Sequence, residues 1–261
     1  MKQTTLLRSA MVAAAVTLAT TAPAANLVGL WLFDNAGNVG QATVGADLTL
    51  AGTAPTHSAS LADNASLALT GVITTAGGVG THLTAVNPIG ANGAGGLFTN
   101  QFTLVYDVFS PAGSRGEWRS LLQTSVGNSN DGDYFIRDSD DTLGVGYLGY
   151  SPTADETQWM RLVLTFNLGT EVKAYVNGSL FHTHNAGAID DRMSLDTTFH
   201  FFGDEDGENA PMNVGALALF DGTLTAGEVA ALGRPGAAIP EPGMGLLALA
   251  GAGLGLRRRR K

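Results

Sequence analysis

The sequence predicts an all-β domain closed by one short helix. Three observations carry that prediction. Apolar runs of four to eight residues recur along the chain, and clusters of Gly, Asn, Asp, Ser and Thr separate them. A Thr-x-x-Glu box then marks a helix start late in the chain.

In order, the expected strands are Leu27–Phe33, Ser66–Leu69, Phe102–Phe109, Ser120–Ser125, Tyr134–Arg137, Leu143–Leu148, Trp159–Phe166, Val172–Val176, Leu180–His184, Thr198–Phe202 and Val214–Phe220. Residues 71–100 are glycine-rich and weakly patterned, and read as long loops with room for one strand. No repeat of solenoid or propeller period is present.

Asn177-Gly178 is the favoured dipeptide of a two-residue type I′ turn, so one hairpin can be derived residue by residue. Counting outward pairs Val176 with Ser179, Tyr175 with Leu180, Ala174 with Phe181, Lys173 with His182, Val172 with Thr183 and Glu171 with His184. Opposed residues share a face. Val172, Ala174, Val176 and Phe181 then face the core, while Glu171, Lys173, Tyr175, His182 and His184 face solvent or a loop. In the preceding strand Met160, Leu162, Leu164 and Phe166 alternate onto one face. The helix begins at Thr225-Ala226-Gly227-Glu228, a capping box with Leu224 and Val229 at the staple positions, and Gly233 and Pro235 end it after about two turns.

Three stretches carry a family likeness. They are Leu27-Val28-Gly29-Leu30-Trp31-Leu32-Phe33-Asp34, then Trp159 to Phe166 followed by Lys173-Ala174-Tyr175-Val176-Asn177-Gly178, and finally Ala216 to Asp221 leading into Leu224 to Val229. Their order and spacing resemble the laminin-G/pentraxin-like group of concanavalin A-type jelly rolls. The resemblance implies an antiparallel two-sheet jelly-roll sandwich over residues 25–236, with loops at the rims.

Both ends read as targeting segments. Residues 1–24 have the parts of a signal peptide: Lys2 and Arg8, an apolar run Ala10 to Ala19, and a small-x-small site at Ala22 and Ala24. The run is too short to cross the roughly 30 Å hydrocarbon core. At the other end, residues 237–242 form a linker with a Pro240-Glu241-Pro242 box, and 243–256 form an uncharged apolar segment. Arg257, Arg258, Arg259, Arg260 and Lys261 follow as a basic end, which faces the cytoplasm by the positive-inside rule. Fourteen helical residues span only about 21 Å. This tripartite tail resembles the PEP-CTERM sorting signal of Gram-negative bacteria, with Ile239 where Val is usual and a short apolar span. The resemblance implies an exosortase-type processing enzyme that cuts near the box. Together with signal peptidase, it implies transient inner-membrane insertion and then the cell envelope or extracellular matrix.

Charge and composition narrow the function classes. Seven of the fourteen Lys and Arg lie in the two end segments, against Glu241 alone of the twenty-three acids. The domain therefore carries 22 acids and 7 bases, a net of −15, which argues against nucleic acid as a partner. The absence of cysteine excludes thiol catalysis and thiolate-bound zinc or iron–sulfur centres.

Calcium is the expected cofactor if one is present. Two loops carry closely spaced hard ligands: Asp204, Asp206 and Asn209 in one, and Asn130, Asp131 and Asp133 in the other. Acidic β-turns account for the same residues, because Asp, Asn and Gly are preferred in turns. His182 and His184 have the spacing of a metal half-site, but Lys173 opposite His182 opposes it, and a solvated polar face is the reading adopted. Trp118, Tyr147 and Tyr150 are candidate sugar-stacking rings, while Trp31 and Trp159 begin apolar strands and read as core. No Glu-x-Asp-x-x-Glu strand motif, Gly-x-Ser-x-Gly elbow or His-Glu-x-x-His helix occurs. The sequence thus points to an exported, non-catalytic module whose partner is extracellular polysaccharide or a surface protein. A ligand-free matrix scaffold and a polysaccharide-active enzyme stand as alternatives.

Overall fold

The computed structural model describes residues 25–59, 61, 67–127 and 130–240. The targeting residues Ala22, Ala24, Glu241, Pro242 and Arg257–Arg260 lie outside them.

Among the described residues, fifteen strands and one α-helix form a two-sheet antiparallel sandwich. The strands are β1 Leu27–Trp31, β2 Thr49–Ala51, β3 Thr56–Ser58, β4 Val72–Thr74, β5 His82–Val86, β6 Gln101–Phe109, β7 Arg119–Gln123 and β8 Asp133–Ile136. They continue as β9 Thr142–Val145, β10 Gly149–Thr153, β11 Met160–Asn167, β12 Glu171–Val176, β13 Ser179–His184, β14 Thr198–Phe201 and β15 Asn213–Phe220. The helix α1 is Ala226–Leu232. An eight-stranded sheet runs β13-β12-β11-β6-β15-β4-β3, with β1 also paired to β15. A seven-stranded sheet runs β10-β9-β8-β7-β14-β5-β2.

Strand alternation builds the core. Leu104, Tyr106, Val108, Leu162, Leu164, Phe166, Leu217 and Leu219 of the larger sheet meet Leu83, Tyr134, Ile136, Leu143, Phe199 and Phe201 of the smaller one. Each large apolar side chain fully buried there contributes about 1.5–3 kcal/mol. The odd-numbered neighbours Val105, Val163 and Tyr175 face the other way, where Leu224, Val229 and Leu232 cover them. The capping box forms as expected: Thr225 accepts from the Glu228 backbone N–H, and Glu228 accepts from that of Thr225.

Two expectations about strands are corrected. Leu67 to Leu69 form no strand, and Leu67 and Leu69 instead pack against Phe109 and Trp159. Residues 71–100 hold two short strands, β4 and β5, because buried Val72, Ile73, Leu83 and Ala85 supply enough apolar contact among the glycines.

The hairpin register is corrected too. Val176 pairs with Ser179 and Tyr175 with Leu180, but a bulge at Phe181 then places His182 opposite Ala174, Thr183 opposite Lys173 and His184 opposite Val172. A one-to-one count cannot anticipate a bulge, which sets two residues against one. His184 consequently turns inward: it is buried, its Nε2 lies 2.8 Å from the Tyr134 hydroxyl, and its Nδ1 lies 3.1 Å from the Gly149 carbonyl. Burial, followed by the neighbouring His182, lowers its pKa to about 4. Tyr175, expected in solvent or against a loop, is buried beneath α1.

A buried ion pair locks the end of the domain. Arg161 Nε and Nη2 each donate to the Asp107 carboxylate at 2.7 Å. The same guanidinium donates to the carbonyls of Leu232 and Ala237, and Gly236 N–H donates to Asp107. Full hydrogen bonding is what makes such a buried pair tolerable.

Candidate functional site

The outer face of the seven-stranded sheet carries the polar chemistry. Phe199, Phe201, Leu83 and Tyr134 point into the core, so their neighbours His200, Thr84 and Asp133 point out. Register aligns Thr49, Thr84, His200, Gln123 and Asp133 in one row across β2, β5, β14, β7 and β8. A second row runs Ser120, Phe135, Gly144, Tyr150 across β7 to β10. Trp118 meets Phe135 edge-on at 5.2 Å, and the Arg137 guanidinium lies 4.2 Å over the Tyr150 ring.

An acidic centre closes the polar row. Asp131, Asp133 and Glu205 each present a carboxylate oxygen within 4.8 Å of the others. Two oxygens on opposite sides of a calcium ion lie about 4.6–5.2 Å apart, so three such carboxylates can close on one ion. Asp131 is only 7 % exposed, and its Oδ2 and the Oδ1 of Asp133 have no hydrogen-bond partner among the described residues. No ion pair among the described residues reaches these acids. Burial first, then the charges of Asp131, Glu205, Asp204 and Glu208, push the Asp133 carboxyl up to about 8. Glu205 is raised chiefly by burial, and Gln123 Nε2 donates to its Oε2.

The two acidic loops therefore converge on one centre, through Asp131 and Asp133 of the first and Glu205 of the second. Asp204 is a loop staple, accepting from the backbone N–H groups of Asp206 at 2.8 Å and Glu208 at 2.9 Å. Asn209 is buried and donates to the carbonyls of Gly78, Thr81 and Phe202. Asn130 sits beside the centre in a left-handed conformation, φ 59°. Sequence spacing passes over Glu205, because nothing local marks which acid of the Asp204-Glu205-Asp206 run turns toward β8.

A cleft of about 320 Å³ adjoins the centre, lined in part by Phe98, Val126, Asn130, Arg192, Thr198 and His200. Thr124 straps the two together: its Oγ1 accepts from Gly132 N–H at 2.6 Å and donates to the Arg192 carbonyl at 2.7 Å. Tyr147 buttresses the cleft wall, donating to Asp191 at 2.7 Å and accepting from Ala188 N–H. Trp118 and Tyr150 thus share the outer sheet face, whereas Tyr147, in the β9–β10 turn, packs against Ala188, Asp191 and Arg192. Trp31 and Trp159 lie in apolar clusters.

Comparison with solved structures places this architecture. The chain aligns with domain 4 of AbnA, an extracellular arabinanase of Geobacillus stearothermophilus solved in complex with arabinotriose. The TM-score is 0.55 at 14 % identity, over 80 % of this chain and 99 % of that one. The fold is a concanavalin A-like jelly roll. The binding domain of Paraclostridial Mosquitocidal Protein 1 aligns at TM-score 0.53 and 13 % identity, over 79 % of this chain and 51 % of that one. The botulinum neurotoxin serotype G binding domain aligns at 0.50 and 13 %, over 78 % and 50 %. This chain therefore spans about half the length of the toxin chains, and at these identities the likeness is one of fold. No protein-family model and no curated protein matches the sequence. Among the described residues, no helix is long and apolar enough to cross a membrane.

Proposed function

We propose that this chain is an exported, non-catalytic carbohydrate-binding module of the laminin-G-like type that holds calcium at Asp131, Asp133 and Glu205. One observation carries the reading: two carboxylates that each hold a buried, unpartnered oxygen converge with a third carboxylate beside a ligand-sized cleft. Buried carboxyls without a cationic partner take up a proton or bind a metal, and among the described residues no cationic side chain pairs with these. The arabinotriose complex of the arabinanase domain supports a glycan as ligand. The proposal keeps the export route of the sequence: a signal peptide ending near Ala24, and a PEP-CTERM tail from Pro240 processed by an exosortase-type enzyme to release the domain into the envelope or exopolysaccharide.

Calorimetric titration with calcium, followed by a glycan array with and without it, tests the module. The expected result is saturable calcium binding, lost in Asp131→Asn, and glycan retention that depends on calcium. Absence of both refutes the proposal. Intact-mass analysis of the surface protein tests the tail, and retained Arg257–Lys261 counts against processing.

A second reading rests on Asp133. A carboxyl raised to about 8 beside other carboxylates resembles the acid member of a glycosidase pair. Against it, neither Asp131 nor Asp133 lines the cleft. Release of reducing ends from polysaccharide, abolished by Asp133→Asn, would favour the enzyme instead.

A further inference from the structure

We infer that the cleft between residues 124–126 and 130 on one side and 190–198 on the other is a subsite for an uncharged sugar unit, with Phe98 as its stacking platform and Arg192 as its fixed donor. The inference rests on the carbohydrate-binding reading and adds the place and charge class of the ligand.

The cleft combines the two surfaces a sugar ring needs. Phe98 and Val126 remain 39 % and 57 % exposed, an apolar pair of the kind that packs against the C–H face of a pyranose or furanose. Around them stand groups with spare hydrogen-bonding capacity. The Arg192 guanidinium forms no ion pair or side-chain hydrogen bond among the described residues, yet it is held in place, 5.1 Å over the Tyr147 ring. Tyr147 is itself pinned through its hydroxyl to Asp191 and Ala188, so the donor is positioned before any ligand arrives. Asp196 uses one carboxylate oxygen on Thr197 N–H and leaves the other for a hydroxyl.

Charge selects among ligands. Asp190, Asp191 and Asp196 line the cleft against the single base Arg192, so a uronate or sulfated sugar meets net repulsion. For a cationic sugar the net charge is attractive, but the carboxylates that would pair with it directly are already engaged. Asp190 is saturated by Leu97, Phe98 and Asn100, Asp191 accepts from Tyr147, and Arg192 repels it. A neutral sugar uses the free donors and acceptors without either penalty. At about 320 Å³ the space lies at the small end of ligand sites and suits about one or two sugar units.

The test is a two-dimensional amide NMR titration of the domain with calcium present. The probes are neutral arabinotriose, cellotriose and maltotriose, anionic trigalacturonate and cationic triglucosamine. At least one neutral trisaccharide is expected to shift amides of residues 97–98, 124–126, 130 and 190–198, and Phe98→Ala to weaken it about tenfold or more. Calcium affinity stays unchanged in that variant, which also reports that the fold is intact. Val126→Asp, at an exposed position, is the second probe and gives the same loss. Neutral-sugar binding that maps to the Phe135–Tyr150 face, or that survives both variants, overturns the cleft but leaves the carbohydrate reading. Tighter binding of trigalacturonate or triglucosamine overturns the charge class. If no probe binds and a polysaccharide pull-down is also negative, both readings fall.

Discussion

Cation binding at the acidic centre is expected to tighten as pH rises, with Asp133 setting the slope. Its carboxyl is raised from 3.8 to about 8 by burial and by the surrounding acids. In the cation-free protein it therefore carries a proton at neutral pH, and an incoming cation must displace that proton. Below the raised pKa each pH unit costs up to tenfold in affinity, about 1.4 kcal/mol. From about pH 6 to about pH 8 the ceiling is roughly a hundredfold, and solvent screening of this half-buried group brings the expectation nearer tenfold. The sign for stability follows from the same shift. A carboxyl that holds its proton more tightly folded than unfolded contributes most below the unfolded value of 3.8, and that contribution is lost as pH climbs through about 8. Melting temperature without calcium should fall across this window, and the increment added by calcium should grow. Calorimetry in buffers of different ionisation enthalpy counts the released proton directly. Asp133→Asn removes the titrating group: the calcium-free protein loses this pH trend, and calcium affinity drops. Calcium affinity independent of pH in the wild type, or an unchanged slope in Asp133→Asn, refutes the reasoning.

Three further variants have expected outcomes. Arg161→Ala strands Asp107 in the buried pair, costing about 3–5 kcal/mol in urea unfolding. The same change speeds hydrogen exchange at residues 233–237, which the guanidinium holds through Leu232 and Ala237. Tyr134→Phe leaves the buried His184 Nε2 without its partner, and thermal unfolding should report a loss of about 1–3 kcal/mol. Gly132→Ala brings a Cβ to 2.2 Å from the Arg192 carbonyl, so it should cost about 1–3 kcal/mol and weaken calcium binding as well.

The strands were legible because their signal is local. Phe102 to Phe109 and Trp159 to Phe166 announce themselves by apolar density, and the observed strands β6 and β11 lie within one residue of those bounds. The α1 start was legible for the same reason, since Thr225 and Glu228 satisfy each other's backbone groups across a single turn. Strands β2, β3, β4 and β10 escaped because three to five residues carry too little pattern; β2, β3 and β4 are held by partners from elsewhere in the chain, and β10 by a short hairpin with β9.

The candidate site was half legible. Asp131 and Asp133 stand out as hard ligands two residues apart on the approach to a strand. Glu205 joins them only because β14 lies beside β7, so that the loop after β14 folds back over the Gln123–Asp133 pair. The same holds for the row from Thr49 to Asp133, whose members come from five strands spread across the chain.

The sequence by itself determined an all-β chain with one capped helix, a strongly acidic domain without cysteine, and a hairpin turn at Asn177-Gly178. Only the tertiary structure decided the bulge at Phe181 that buries His184, the lock of Arg161 on the end of the domain, and the meeting of Asp131, Asp133 and Glu205. Propensity and periodicity act over a few residues, whereas a register, a buried ion pair or a cation centre depends on which distant strands become neighbours.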